Sequence, residues 1–175
     1  MKKLLFITAT MFACCLMSCK SETDNHNSQA EKNTANVKEV YHAIETGDVS
    51  KLDNFTSPDF VDHSGGAGDT EIKGRDSIKA MLADMHNHFK DLRMDMIASA
   101  TSDDGAYNFT LVKLTGTTTD GSMGVPPNTK IEGEAVNVSS IKDGMFTEHW
   151  RFMDTRDVAK MMHGTNNAMD TTKNK

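Results

Sequence analysis

The second half of the chain permits few folds. Four stretches alternate apolar and polar residues: LRMDMIASA from Leu92, AYNFTLVKLTGTTT from Ala106, KIEGEAVNVSSI from Lys130 and MFTEHWRFMD from Met145. Asp103-Asp104-Gly105 parts the first two and Lys142-Asp143-Gly144 the last two, while a loop holding Gly121, Gly124, Pro126 and Pro127 lies between the pairs. A period of two between such turns marks half-buried antiparallel strands, so this half predicts a four-strand meander. Each strand then turns one face to a core, and that face needs a cover.

The first half supplies it. Val37, Val40, Tyr41 and Ile44 recur at helical spacing, and Gly47 is placed to end their helix. Asp48 can cap a short second helix that buries Val49, Leu52 and Phe55. Pro58 ends that pattern, and DFVDH, residues 59–63, reads as a short strand. After a glycine-rich loop at residues 64–68, a helix from Arg75 carries Ile78, Met81, Leu82, Met85 and Phe89 on one face. A short closing helix is expected over residues 156–162. Helices first and antiparallel strands second predict an α+β domain, with the helices on one face of a curved sheet.

The ends of the chain are of another kind. Lys2 and Lys3, the apolar residues 4–17 and the sequence Leu16-Met17-Ser18-Cys19 resemble a bacterial lipoprotein signal. On that reading residues 1–18 are removed, Cys19 is lipidated, residues 19–35 form a disordered linker, residues 36–163 form the domain and residues 164–175 a flexible tail. Lys20-Ser21-Glu22 resembles the export signals of Bacteroidetes-type surface lipoproteins. The protein is therefore expected in the bacterial cell envelope, periplasmic or surface-exposed, touching the membrane only through its lipid anchor.

Cys14, Cys15 and Cys19 are the only cysteines, so the domain can hold neither a disulfide nor a thiolate metal site. Losing Lys2 and Lys3 from 19 basic residues leaves 17 against 25 acidic ones, a charge of −8, which argues against a nucleic-acid partner. His86 and His88, two apart on a helix, do not face each other and make a poor metal pair. Met81, Met85, Met94 and Met96 read as adaptable core filling. Glu148 and Asp154 share a strand face but stand roughly 20 Å apart, too far for a carboxylate dyad.

Four segments, ETGDVSKLDNFTSPDFVDH, GRDSIKAML, FKDLRMDM and DGMFTEHWRFMD, resemble in order the landmarks of SnoaL-like polyketide cyclases and ester cyclases, within the nuclear-transport-factor-2-like superfamily. The resemblance spans about residues 36–163. It implies a cone-shaped α+β barrel: helices close the mouth of a strongly bent, mostly antiparallel sheet over an apolar small-molecule pocket. It also implies a homodimer formed through the sheet's outer face. Cyclases of this kind and the related ketosteroid isomerases use no cofactor and no metal. A carboxylate base takes a proton beside a carbonyl, and polar donors hold the enolate.

Several landmarks depart from that pattern. Counted from the Asp143-Gly144 turn, the cyclases' aspartate base falls on Arg151, which stays protonated and cannot serve as a base. Their pocket histidine falls on Asn137, a common Gly-Thr-His-Thr-Gly run is Gly116-Thr117-Thr118-Thr119-Asp120, and a common arginine is Ser140. What the register leaves for a base is His63, Asp62 or His149, and for ligand contacts Asn137, Arg151 and Met153. Asp62 and His63 alternate, so at most one of them points inward. Alternation likewise sends Thr147, His149, Arg151 and Met153 toward the pocket, and Glu148, Trp150 and Phe152 away from it. Trp150 and Phe152 are the expected dimer contacts. Each polar residue also has a plainer reading: His63 as hydrogen-bonded structure, His149 and Arg151 as a solvated face, Asn137 as a partner for buried backbone. The set suits a small apolar ligand with an anionic or carbonyl group, or else cofactor-free acid/base chemistry on a carbonyl compound.

Overall fold

A computed structural model describes residues 22–64, 71–121 and 124–163. The signal segment, Cys19, most of the glycine-rich loop and the tail lie outside the described residues. In chain order the elements are α1 (Glu22–Thr46), β1 (Thr56–Asp62), β2 (Ile72–Lys73), α2 (Arg75–Asn87), β3 (Phe89–Thr101), β4 (Tyr107–Thr118), β5 (Lys130–Lys142), β6 (Met145–Met153) and α3 (Thr155–His163).

The four alternating stretches become β3 to β6, each hydrogen-bonded antiparallel to the next in a six-stranded sheet of order β2-β1-β6-β5-β4-β3. Asp143 and Gly144 both take positive φ (53° and 76°), which makes the tight β5–β6 turn possible. Register shifts between Lys90 and Arg93, between Met96 and Ala98 and between Ser140 and Ile141 interrupt the ladders. Such bulges let long strands bend around the helices instead of lying flat. The result is the α+β cone: α1 and α2 pack on a curved sheet.

The core forms where the helical stripe meets the inner strand faces. Val37, Tyr41 and Ile44 of α1, Ile78 and Leu82 of α2, Met94, Val112, Ala135 and Phe146 of the sheet are all buried, as are Leu52 and Phe55 between them. Met81, Met85 and Met96 pack against that cluster.

Several local readings change. The polar segment expected as a linker is mostly helix, because α1 already begins at Glu22. Polar packing supports it: Asn33 is wholly buried and accepts a hydrogen bond from Gln29 Nε2 at 2.7 Å, and Thr34 meets Ser99 of β3 at 3.2 Å. The helix expected after Asp48 shrinks to a single 3₁₀ turn, Leu52–Asn54, with Asp48 Oδ1 accepting from the Ser50 N–H at 3.0 Å. Pro58 lies inside β1, where the pairing with β6 is interrupted between Thr56 and Val61 and no ladder N–H is required. Phe89 opens β3 instead of closing the helix.

Candidate functional site

The site follows from one pairing. β1 runs parallel to β6, with Asp62 in register with His149, and β5 runs antiparallel on β6's other side, with Asn137 opposite Arg151 and Ser139 opposite His149. Three neighbouring strands thus present Asp62, His149, Arg151 and Asn137 to one cavity. The cavity holds about 70 Å³ between the helices and the sheet. Val37, Ile44, Leu52, Phe60, Ile78 and Leu82 give it an apolar body, and Tyr41 of α1 and Thr110 of β4 add two hydroxyls to its polar wall.

These polar groups form a chain of contacts. His149 Nδ1 lies 3.2 Å from both Asp62 Oδ1 and Ser64 Oγ, while Ser64 donates to Asp62 from its hydroxyl at 2.6 Å and from its backbone N–H at 2.7 Å. On the other side of the ring, His149 Nε2 lies 3.4 Å from Asn137 Oδ1, and Asn137 Nδ2 donates to the Tyr41 hydroxyl at 3.0 Å. Burial alone would raise the Asp62 carboxyl, but the hydrogen bond and charge of His149 and the two Ser64 donors hold it well below the usual carboxylate range. A carboxylate held that low is a poor base and a good orienting group. Burial pushes the Tyr41 phenol up, partly offset by its contacts with Asn137 and Thr110 and by the charge of Arg151.

The heavy-atom positions allow two proton arrangements. With Nδ1–H given to Asp62, Nε2 can carry a second proton and donate to Asn137 Oδ1, making an imidazolium. Alternatively Nε2 is bare and accepts from the Asn137 amide turned over, with Tyr41 O–H then donating to Asn137 Oδ1. In either case Asp62 fixes the ring, and Nε2 is the nitrogen on the side of Asn137.

The sequence pattern that defines SnoaL-like polyketide cyclases matches residues 35–161. The chain belongs to the SnoaL-like polyketide cyclase family. Among solved structures, TsrD from Streptomyces laurentii is similar with a TM-score of 0.65 at 16% identity, over 75% of this chain and 95% of that one. IdmH, a candidate polyketide cyclase from Streptomyces antibioticus, gives 0.60 at 24% identity, over 74% of this chain and 97% of its own. An epoxide hydrolase of the LEH-like kind from M. tuberculosis gives 0.60 at 16% identity, over 77% and 87%. These likenesses concern the fold. No curated protein matches the chain in sequence.

Within this SnoaL-like domain the residues named from sequence separate into two places. Asp62, Asn137, His149 and Arg151 line the cavity. His63 does not: it lies on the opposite face, stacked on Trp150 with ring centroids 4.7 Å apart and planes 9° apart, Nε2 2.8 Å from Glu148 and Nδ1 2.9 Å from Glu71. The bond to Glu148 first, and then the one to Glu71, hold its imidazole above its usual value despite some burial. A base for the cavity cannot come from there. Met153 packs against the core but is not among the residues lining the cavity. Trp150 is half-buried and Phe152 59% exposed, both on the outer side. Tyr41, Thr110 and Ser64 were not legible as site residues. Tyr41 did carry a signal: a phenol within an aliphatic helical stripe needs a buried partner for its hydroxyl.

Proposed function

We propose that the domain binds a small, largely apolar molecule through an anionic or carbonyl oxygen. Arg151 carries this reading: its guanidinium lies on the wall of an apolar cavity, and among the described residues no carboxylate reaches it within ion-pair distance. A cation drawn toward a low-dielectric cavity is costly unless an anion or a strong dipole answers it. Asn137 and Tyr41 stand beside it as further donors, so one ligand oxygen can be held from two sides. Thermal-shift measurements on the full chain with small carboxylates and ketones test the reading. Carboxylates should stabilise the wild type and not Arg151→Ala; equal shifts in both proteins, or none in either, would remove it.

The Asp62–His149 contact favours a second reading: cofactor-free acid/base chemistry on a carbonyl compound, as in an isomerase, cyclase or hydrolase. His149 Nε2 would move the proton, Asp62 would orient the ring, and Arg151 with Asn137 would hold the enolate oxygen. Exchange of a ketone's α-protons into deuterated water is the direct assay. Equal exchange by wild type and His149→Ala would rule this out for the ketones tried.

The pocket is placed on a lipid tether in the bacterial envelope on the strength of residues 2–19 alone. Cys19→Ala should shift the protein from the membrane fraction to the soluble one. The second copy of a homodimer is assigned to the sheet's outer face, with Trp150 and Phe152 at its centre. Support comes from cross-strand register: Phe109 lies opposite Val138, Val138 opposite Trp150 and Val136 opposite Phe152, so the exposed apolar residues are contiguous.

A further inference from the structure

We infer that the ligand is a short aliphatic monocarboxylate, an inference that rests on the binding reading above and narrows it. Size comes first. The cavity measures about 70 Å³, room for only a few apolar heavy atoms beside the polar wall. A benzene ring has been housed in an apolar protein cavity of about 150 Å³. The space between Ile44, Leu52, Phe60, Ile78 and Leu82 therefore suits a short or branched alkyl chain better than fused rings.

Charge comes second. The ionisable groups lining the cavity with charge to offer are Asp62, His149 and Arg151, with Tyr41 neutral beside them. The Asp62 carboxylate is already engaged by His149 and by both donors of Ser64. Arg151 is left to face one negative charge. A second charge on the ligand would be brought toward Asp62, so a dicarboxylate or a phosphate dianion is disfavoured. Geometry comes third: Arg151 and Asn137 are direct cross-strand partners on the inner face, which suits the two oxygens of one carboxylate. The chain of the acid then points away from the polar wall, into the apolar body.

The test is an NMR titration of the full chain with linear acids from acetate to decanoate, with the primary amides of the same lengths, and with succinate. Affinity should peak between propionate and valerate and fall by octanoate. The matching amide should bind about tenfold more weakly, and Arg151→Gln should reduce that difference to under about twofold by weakening the acid far more than the amide. Arg151→Lys should restore part of the preference. Leu82→Ala, which lengthens the cavity, should move the optimum to longer acids. Amide binding by Arg151→Gln serves as the check that its pocket is folded; loss of both ligands passes the decision to Arg151→Lys.

Affinity that climbs steadily to decanoate overturns the inference on size. Acid and amide binding alike, or succinate binding as well as butyrate, overturns it on charge. In all three cases the broader binding reading survives, now with a long, neutral or dianionic ligand. Absence of binding by every acid, amide and ketone removes both.

Discussion

The two faces of β6 are built from alternate residues of one strand, yet they solve opposite problems. On the inner face His149 and Arg151 are polar groups beside an apolar cavity, and His149 is closed into contacts with Asp62, Ser64 and Asn137. On the outer face Phe152 is an apolar group left 59% exposed beside the half-buried Trp150, continuous with Phe109 at 42% and Val136 at 40% exposure. This inverts the ordinary allocation of polar groups to water and apolar groups to the core. Such inversions have a cost, which a ligand would offset on the inner side and a covering surface on the outer one.

The largest test of the inner face is Asp62→Ala. Its side chain is 7% exposed, and its loss leaves His149 and Ser64 without their shared acceptor. We expect a loss of about 3 kcal/mol in urea denaturation at pH 7. The effect should depend on pH with a definite sign. The folded carboxyl is held below its unfolded value, which lies near about 3.9, so its stabilisation is present above that pH and drains away as pH falls toward the depressed folded value. The gap between wild type and Asp62→Asn should accordingly narrow below about pH 4. A gap constant from pH 7 to pH 3 would mean the inner face is not held by this charge.

Tyr41→Phe probes the far end of the same chain of contacts. It removes the acceptor for Asn137 Nδ2 without changing packing volume much, and should cost about 1–2 kcal/mol. If the change is neutral, the Asn137 amide has another partner and the contacts do not act together.

How far the comparison was legible differs between the faces. Strict alternation in TEHWRFMD separated His149 and Arg151 from Trp150 and Phe152, because a strand's side-chain period is fixed by its pleat. The same pleat set Asp62 apart from His63. What brings Asp62 to His149 is the parallel pairing of the first long strand with the last, across 87 residues of chain, and no local pattern reports it. Tyr41 and Asn137, 96 residues apart, are joined by the same global closure. The start of α1 was missed for a different reason. Its buried surface includes Asn33, so the helix leaves no apolar period to read.

His63→Ala compares a histidine of the outer face with His149 of the inner one. His63 sits on Trp150 between Glu71 and Glu148, all of them reached by solvent. Screening limits its worth to under about 1 kcal/mol, less still in high salt. Its folded imidazole is held above the unfolded value, so the contribution is fully present below about pH 6.5 and is lost as pH rises through the folded value. Wild type and variant should therefore converge in stability toward pH 9. A difference that grows with pH would show that the stack on Trp150, not the carboxylates, holds the ring.

Phe152→Ser should have the smallest effect on the fold and the most direct bearing on what the outer face is for. With 59% of Phe152 exposed, the substitution removes little buried area within the chain, and folding stability should stay within about 0.5 kcal/mol. Assembly should respond instead: if a second copy covers the patch, sedimentation equilibrium should show the wild type as a dimer and the variant dissociating at least about tenfold more readily, since a central aromatic at an interface carries a disproportionate share of its free energy. Trp150 gives a readout in the same experiment. As the chain's only tryptophan, its fluorescence should report solvent exposure as the variant is diluted. A wild type that sediments as a monomer at every concentration would leave Trp150 and Phe152 without the partner proposed for them. The outer half of the comparison would fail while the cavity on the inner face stood unchanged.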